Sequence, residues 1–169
     1  MLFRSVDSCI ADRCEALRAG PNFAWHVREG GEALKSLASA ESVLRAMVQA
    51  QCDRRSILLA IGGGTIGDLG GFCASLFARG IELWHAPTTL LAMVDSAVGG
   101  KTALNLPEGK NLIGTIHPAA QVLIEPAFVQ SEPESGFRSG LAEAIKMGLG
   151  LDADLWELLE REPERILRR

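Results

Sequence analysis

The sequence has 169 residues, 47% of them hydrophobic, enough to bury one core of ordinary domain size, or one core and the beginning of a second. A net charge of −4 and a pI near 5.4 argue against a nucleic-acid footprint, so positive charge is expected only locally, as around a phosphate. No stretch approaches the length of a membrane span and no secretory apolar region opens the chain, so the expected location is the cytoplasm, without a membrane partner.

Residues 1–6 predict one short strand before Asp7. Over residues 32–52 the apolar Leu34, Leu37, Val43, Leu44, Met47 and Val48 recur at helical spacing, and Asp53-Arg54-Arg55 ends that helix or helix pair. Ser56-Ile57-Leu58-Leu59-Ala60-Ile61 is almost wholly apolar, as a strand covered on both faces would be, and runs directly into Gly62-Gly63-Gly64. Asp68 is expected to open a helix that ends near Gly80. Ile81-Glu82-Leu83-Trp84 and Gln121-Val122-Leu123-Ile124 read as further strands, each ending at a polar loop. The alternation predicts an α/β fold, a Rossmann-like nucleotide-binding domain with a mostly parallel sheet. Beyond Pro133, residues 140–151 and 152–159 read as helices, with Asp152 or Asp154 as N-cap. A boundary near Ser131 therefore divides an α/β domain (1–131) from the start of an α-helical domain (132–169). Leu155-Trp156-Glu157-Leu158-Leu159 has an apolar side that no later segment covers.

Cys9, Cys14, Cys52 and Cys73 fit neither a C-x-x-C metal site nor a compact disulfide framework and read as reduced core residues. His26, His85 and His117 are scattered, with no H-x-x-x-H spacing, so no complete zinc site can be assembled.

The segment Gly62-Gly63-Gly64-Thr65-Ile66-Gly67-Asp68 lies between a strand and a helix, where glycines let backbone N–H groups approach a pyrophosphate. A tight turn capped by Asp68 is the structural alternative. Asp95-Ser96-Ala97-Val98-Gly99-Gly100-Lys101-Thr102 and Gly109-Lys110-Asn111 place two lysines in glycine-flanked loops, which suits a phosphorylated ligand and equally suits two solvated loops. A P-loop is excluded, because its first glycine would fall at Asp95. Glu143 and Lys146 share a helix face; taken alone, such a pair reads first as a surface ion pair.

Together these segments resemble 3-dehydroquinate synthases, block by block and in order. Glu29-Gly30-Gly31-Glu32-Ala33-Leu34-Lys35 is similar to that family's P-G-E-x-x-K loop. It is followed by Gly62 through Asp68, Arg79-Gly80, Pro87-Thr88-Thr89-Leu90-Leu91-Ala92, Asp95 through Lys101, Gly109-Lys110-Asn111 and Gly140-Leu141-Ala142-Glu143-Ala144-Ile145-Lys146. The resemblance implies an NAD- and metal-dependent carbon–oxygen lyase of the shikimate pathway that acts on a phosphorylated sugar acid. It implies that Asp7, Glu32 and Lys35 lie on the adenosine side of NAD, and Gly63, Gly64, Thr65, Ile66, Gly67, Asp68, Thr88 and Thr89 around the pyrophosphate and nicotinamide ribose. Asp95, Lys101, Lys110 and Asn111 match residues at the nicotinamide and substrate, and Lys146 a substrate-contacting lysine. Glu143 matches one of three zinc or cobalt ligands. Arg79 matches an arginine that reaches the substrate phosphate of a neighbouring subunit, which implies a homodimer.

Phe128-Val129-Gln130-Ser131-Glu132-Pro133 departs from the family's T-L-x-T-L-P, so Phe128 and Ser131 are expected to alter a contact on the adenine side. The family's two metal-binding histidines are expected beyond Arg169, and an opening strand and helix before Asp7 are expected to be missing. On that expectation this polypeptide alone has no cyclase activity. The rival activities are another sugar-phosphate cyclase, making 2-deoxy-scyllo-inosose or a valiolone, and an NAD- and metal-dependent polyol dehydrogenase.

Overall fold

The structure is a computed structural model that describes residues 1–17 and 23–168. Its strands are β1 (Leu2–Asp7), β2 (Phe23–Arg28), β3 (Ile57–Gly62), β4 (Glu82–Pro87), β5 (Lys101–Leu106), β6 (Gly109–Ile116) and β7 (Gln121–Val122). Five form a parallel sheet in the order β2-β1-β3-β4-β7, while β5 and β6 pair as a separate antiparallel ribbon. The α/β reading with a mostly parallel sheet therefore holds.

β3 shows why both sheet faces are dry. Leu58 and Ala60 join Phe3, Val43, Met47, Leu69 and Phe72 in one cluster, whereas Leu59 and Ile61 join Val6, Ile10 and Cys14 in another. The first cluster is closed by α1 (Leu37–Gln49) and α2 (Gly64–Leu76). Ser36 caps α1 by accepting the Ser39 N–H at 3.2 Å, and Ala40, Val43 and Met47 supply the buried stripe. α2 presses against both the sheet and the ribbon, and a Cβ at Gly71 would stand 2.6 Å from Thr102 Cγ2. The second face is covered by 3-10 turns at Ser8–Ile10 and Asp12–Leu17 and by Phe128.

After the sheet come α3 (Glu134–Gly150), α4 (Ala153–Arg161) and α5 (Pro163–Leu167). Asp152, rather than Asp154, caps α4, accepting the Leu155 N–H at 3.0 Å. The apolar side of α4 turns toward α3: Leu155, Leu158 and Leu159 line a groove of about 620 Å³ with Leu90, Phe137 and Leu141. Arg169 lies outside the described residues. Among the described residues no helix is long and apolar enough to cross a membrane.

Several expectations need correction. The helix after β3 opens at Gly64, so Asp68 lies inside it and caps nothing; buried Ile66 and Leu69 anchor its first turns on the sheet and override the poor helix propensity of the glycines. It ends at Leu76, before a 3-10 turn at Phe77–Arg79. The last parallel strand is only Gln121–Val122, with Leu123 and Ile124 exposed beside it. The glycine-and-lysine segments are not simple loops: Asp95–Ser96 ends a π-helical turn, residues 97–100 lead from it, Lys101-Thr102 opens β5, and Gly109-Lys110-Asn111 opens β6. β2 carries no sequence signal above its half-exposed pattern and pairs with β1 alone. All four cysteines are free, but Cys9 is exposed on a turn and is no core residue.

Candidate cofactor and substrate site

The first four parallel strands end at one edge, and the chain reverses its direction of travel across the sheet between β1 and β3. A crevice outside the carboxyl ends of the strands at such a switch point is where open α/β sheets bind ligands. Asp7 closes β1, is buried, and accepts the Cys9 N–H at 3.1 Å. After β3, Gly63 caps α2 without any side-chain bond; its carbonyl accepts the Ile66 and Gly67 N–H groups at 3.1 Å each, which leaves the Gly64 and Thr65 N–H groups of the first turn without an intrahelical acceptor. A Cβ at Gly63 would lie 3.2 Å from Thr89 Cγ2, and one at Gly64 would lie 3.1 Å from Ser96 Oγ, so bare backbone lines the turn. Thr65 Oγ1 accepts the Gly31 N–H at 3.2 Å and ties this turn to the loop after β2. Thr88 is buried, its N–H donating to Gly62 O at 3.0 Å, and Thr89 Oγ1 accepts the Ala92 N–H at 3.3 Å.

One polar network joins α2, the turn at Glu32–Leu34 and the ribbon. Lys35, 5% exposed, sets its ammonium 2.6 Å from Asp68 Oδ2 and donates to Asn111 Oδ1. Burial pushes the Asp68 carboxyl above its ordinary range, against the pull of Lys35. Glu32 accepts from Asn105 Nδ2 at 2.7 Å, which holds its carboxyl below the usual range; Lys110, at 4.0 Å, adds to that. Asp68, Asp95, Ser96, Lys101 and Asn111 line a single cleft of about 530 Å³. The larger groove, about 760 Å³ between α1 and α2, is walled mainly by Leu37, Leu44, Val48, Phe72 and Leu76, with the exposed Glu41–Arg45 pair and Gln49 also on its lining.

Glu143 and Lys146 form the ion pair expected of their spacing, on α3. Glu143 and, less strongly, Asp95 hold the Lys146 ammonium above its ordinary range; α3 packs against the Ala92–Ser96 turn that carries Asp95. Among the described residues no three His, Cys, Asp or Glu side chains converge as metal ligands, around Glu143 or elsewhere.

Some candidates lie elsewhere. Ile66 is fully buried and packs the core, while Gly67 faces His85 from inside α2. Arg79 sits past the far end of α2, a helix of 13 residues and so about 20 Å long, in a turn where Ala78, Arg79 and Gly80 have φ of 49°, 68° and 114°. Phe128 and Ser131 are held by Arg13, whose guanidinium lies 4.6 Å from the Phe128 ring centroid and donates to Ser131 Oγ at 2.6 Å. Sequence reasoning overlooked Asn105, which bonds to both Glu32 and Asn111; its only sequence signal is its place six residues before Asn111, in the same glycine-bounded segment.

Residues 25–139 match the model of the 3-dehydroquinate synthase N-terminal family. The chain is similar to the 3-dehydroquinate synthase of Pelobacter propionicus, 50% identical over 137 residues that make up 81% of this chain and 38% of that one. It is similar to that of Rhodopirellula baltica, 40% identical over 172 residues, 96% of this chain and 46% of the relative. It thus spans less than half the length of these relatives. Among solved structures it is similar to a 2-epi-5-epi-valiolone synthase from Streptomyces hygroscopicus with NAD+ and Zn2+ bound, with TM-score 0.89, 34% identity, and coverage of 98% of this chain and 48% of that one. A 2-deoxy-scyllo-inosose synthase complexed with carbaglucose-6-phosphate, NAD+ and Co2+ gives TM-score 0.77 and 30% identity over 86% of this chain and 41% of that one. A probable glycerol dehydrogenase from Sinorhizobium meliloti, at 20% identity and TM-score 0.68 over 85% of this chain and 38% of that one, shares the fold alone. With a family model covering most of its length, and with Asp68, Lys101 and Asn111 on one cleft whose Ser96 adjoins Gly64 of the glycine turn, the chain belongs to the 3-dehydroquinate synthase family.

Proposed function

We propose that this chain is the NAD-binding part of a 3-dehydroquinate synthase, which converts 3-deoxy-D-arabino-heptulosonate 7-phosphate to 3-dehydroquinate and phosphate in the shikimate pathway. The observation that carries the proposal is a bare-backbone helix N-terminus at the switch point of a family member's sheet, where Gly64 adjoins Ser96 of the cleft lined by Asp68, Asp95, Lys101 and Asn111. The glycine cradle fits a pyrophosphate, because the Gly64 and Thr65 N–H groups at the helix N-terminus have no intrahelical acceptor and no side chain of Gly63 or Gly64 covers the turn.

In this reading Asp7 and Glu32 lie toward the adenosine, Gly63 through Thr65 with Thr88 and Thr89 hold the pyrophosphate and ribose, and Lys35 acts by fixing Asp68 and Asn111. Lys101 and Lys110 offer exposed ammonium groups to an anionic sugar acid, and Lys146 adds a third exposed ammonium from α3. Bound NAD supplies a reversible hydride acceptor, so the cofactor is restored in each turnover. Glu143 is proposed as one ligand of a divalent metal, zinc or cobalt; the donor set of the described residues does not hold a metal by itself, and no step is derived through it. Arg79, remote from its own cleft, is proposed to serve that of a second copy in a homodimer. A helical unit starting near residue 132 and a cytoplasmic location belong to the same proposal, as does the lack of turnover by the 169-residue chain alone.

The test is an assay of the complete gene product with the heptulosonate phosphate, NAD and Co2+ or Zn2+. Phosphate released in step with 3-dehydroquinate, without net NADH, is the expected outcome. NADH accumulating on glycerol with no phosphate release would replace this reading with a polyol dehydrogenase. The likeness to the valiolone synthase favours one other product class, and identification of the carbocycle formed decides between them.

A further inference from the structure

At residue 105 the ribbon loses its register. Leu104 pairs with Ile113 and Leu106 with Gly109, so Asn105 alone faces Lys110, Asn111 and Leu112. Such a bulge breaks the ladder, leaves backbone groups without a cross-strand partner and re-aims side chains. Asn111 sits in it with φ of 57°, a left-handed conformation that asparagine tolerates better than most residues.

Three bonds from Asn105 hold this irregularity. Its Oδ1 accepts the Asn111 N–H at 2.9 Å, its Nδ2 donates to Glu32 Oε1 at 2.7 Å, and its own N–H donates to Lys35 O at 2.8 Å. Only one orientation of the amide satisfies both side-chain bonds, since the reverse would set NH₂ against N–H and oxygen against carboxylate. Asn111, so held, accepts from the Lys35 ammonium that pairs with Asp68. We propose that Asn105 is a positioning residue, which locks the bulge onto the Glu32–Lys35 turn and so presents Glu32 and Asn111 in binding geometry. The effect on cofactor binding rests on the reading of this cleft as an NAD site, whereas the effect on Asn111 does not.

The test uses the intact protein with Asn105→Ala and Asn105→Asp, read by amide exchange and by NAD+ titration calorimetry. In Asn105→Ala the Asn111 amide should exchange about tenfold faster and NAD+ should bind about tenfold more weakly, as expected for two lost hydrogen bonds of ordinary net strength. The Thr115 amide, held by Thr102 Oγ1 at 3.0 Å further along the ribbon, should keep its protection and report an intact fold. Asn105→Asp retains an acceptor for the Asn111 N–H but opposes Glu32 with a second carboxylate, so Asn111 protection should persist while NAD+ affinity falls. Unchanged Asn111 exchange in Asn105→Ala, or unchanged NAD+ affinity in both variants of a protein that binds NAD+, overturns the proposal. If the unmodified protein gives no heat with NAD+, the cofactor reading fails, and Asn111 exchange still decides whether Asn105 holds the bulge.

Discussion

Replacing Lys35 with methionine keeps the length of the side chain and removes its charge. The Asp68 carboxylate, 19% exposed and 2.6 Å from the Lys35 ammonium, would then face an apolar stem, and Asn111 Oδ1 would lose its donor. Breaking a buried pair by deleting one partner typically costs about 3–5 kcal/mol, because the remaining charge stays desolvated. With a urea slope of about 2 kcal/mol/M for a domain of this size, the midpoint should fall by roughly 2 M, followed by the fluorescence of Trp25, Trp84 and Trp156. Asp68 already has a folded pKa above its unfolded value of 3.8, and losing Lys35 raises it further. For a raised carboxyl the favourable contribution is complete below the unfolded pKa and is lost as pH rises through the folded one. The deficit of the variant relative to the unmodified protein should therefore be largest near neutrality and shrink as pH falls toward about 4. Adding Asp68→Leu should recover most of the loss, since an apolar pair replaces the orphaned charge. A neutral-pH deficit below about 1 kcal/mol, the size of an exposed ion pair, would refute the burial argument.

Gly71→Ala should destabilise α2 against the ribbon: overpacking costs about 1–3 kcal/mol, offset by up to about 1 kcal/mol of helix propensity. Thr102 cannot rotate away, as its hydroxyl bonds to Thr115 at 2.8 Å, so adding Thr102→Ser, which deletes the Cγ2 that stands 2.6 Å from the new Cβ, should restore stability in denaturant unfolding. Additive effects of the two substitutions would contradict the contact. Burial holds the His85 imidazole down to about 4, so its NMR shifts should not move between about pH 7 and pH 5. A depressed histidine gives stability that is present above its unfolded value of 6.5 and lost as pH falls toward about 4, and titration near 6.5 would show the ring is not buried.

Strand signals were legible where burial is two-sided. The run through Ile57, Leu58, Leu59, Ala60 and Ile61 announces β3 because both faces are covered, whereas β2 faces a neighbour on one side only and its half-exposed residues show no period. The glycine turn was legible as chemistry but not as the start of a helix. Gly64 and Gly67 carry poor propensity, and it is packing of Ile66 and Leu69 on the sheet that makes them helical, a tertiary effect that local sequence does not contain. Lys101, Lys110 and Asn111 were read as candidate binding residues, yet their place on a ribbon escaped notice because the buried Thr102 and Leu104 are the whole of the alternation in β5 and Gly109 and Gly114 interrupt the mostly exposed β6. The Lys35–Asp68 pair spans two separate motifs, and no spacing rule joins residues that meet only through the fold.

The proposed function requires the first turn of α2 and the bulge of the ribbon to face one dinucleotide. The most direct measurement of this is a residue-resolved amide-exchange titration of the protein with NAD+. Saturable slowing at Gly64, Thr65 and Asn111, with the α1 amides unchanged, is the expected result. Slowing confined to the α1–α2 groove, or none at saturating NAD+, would show that no dinucleotide lies between the turn and the ribbon.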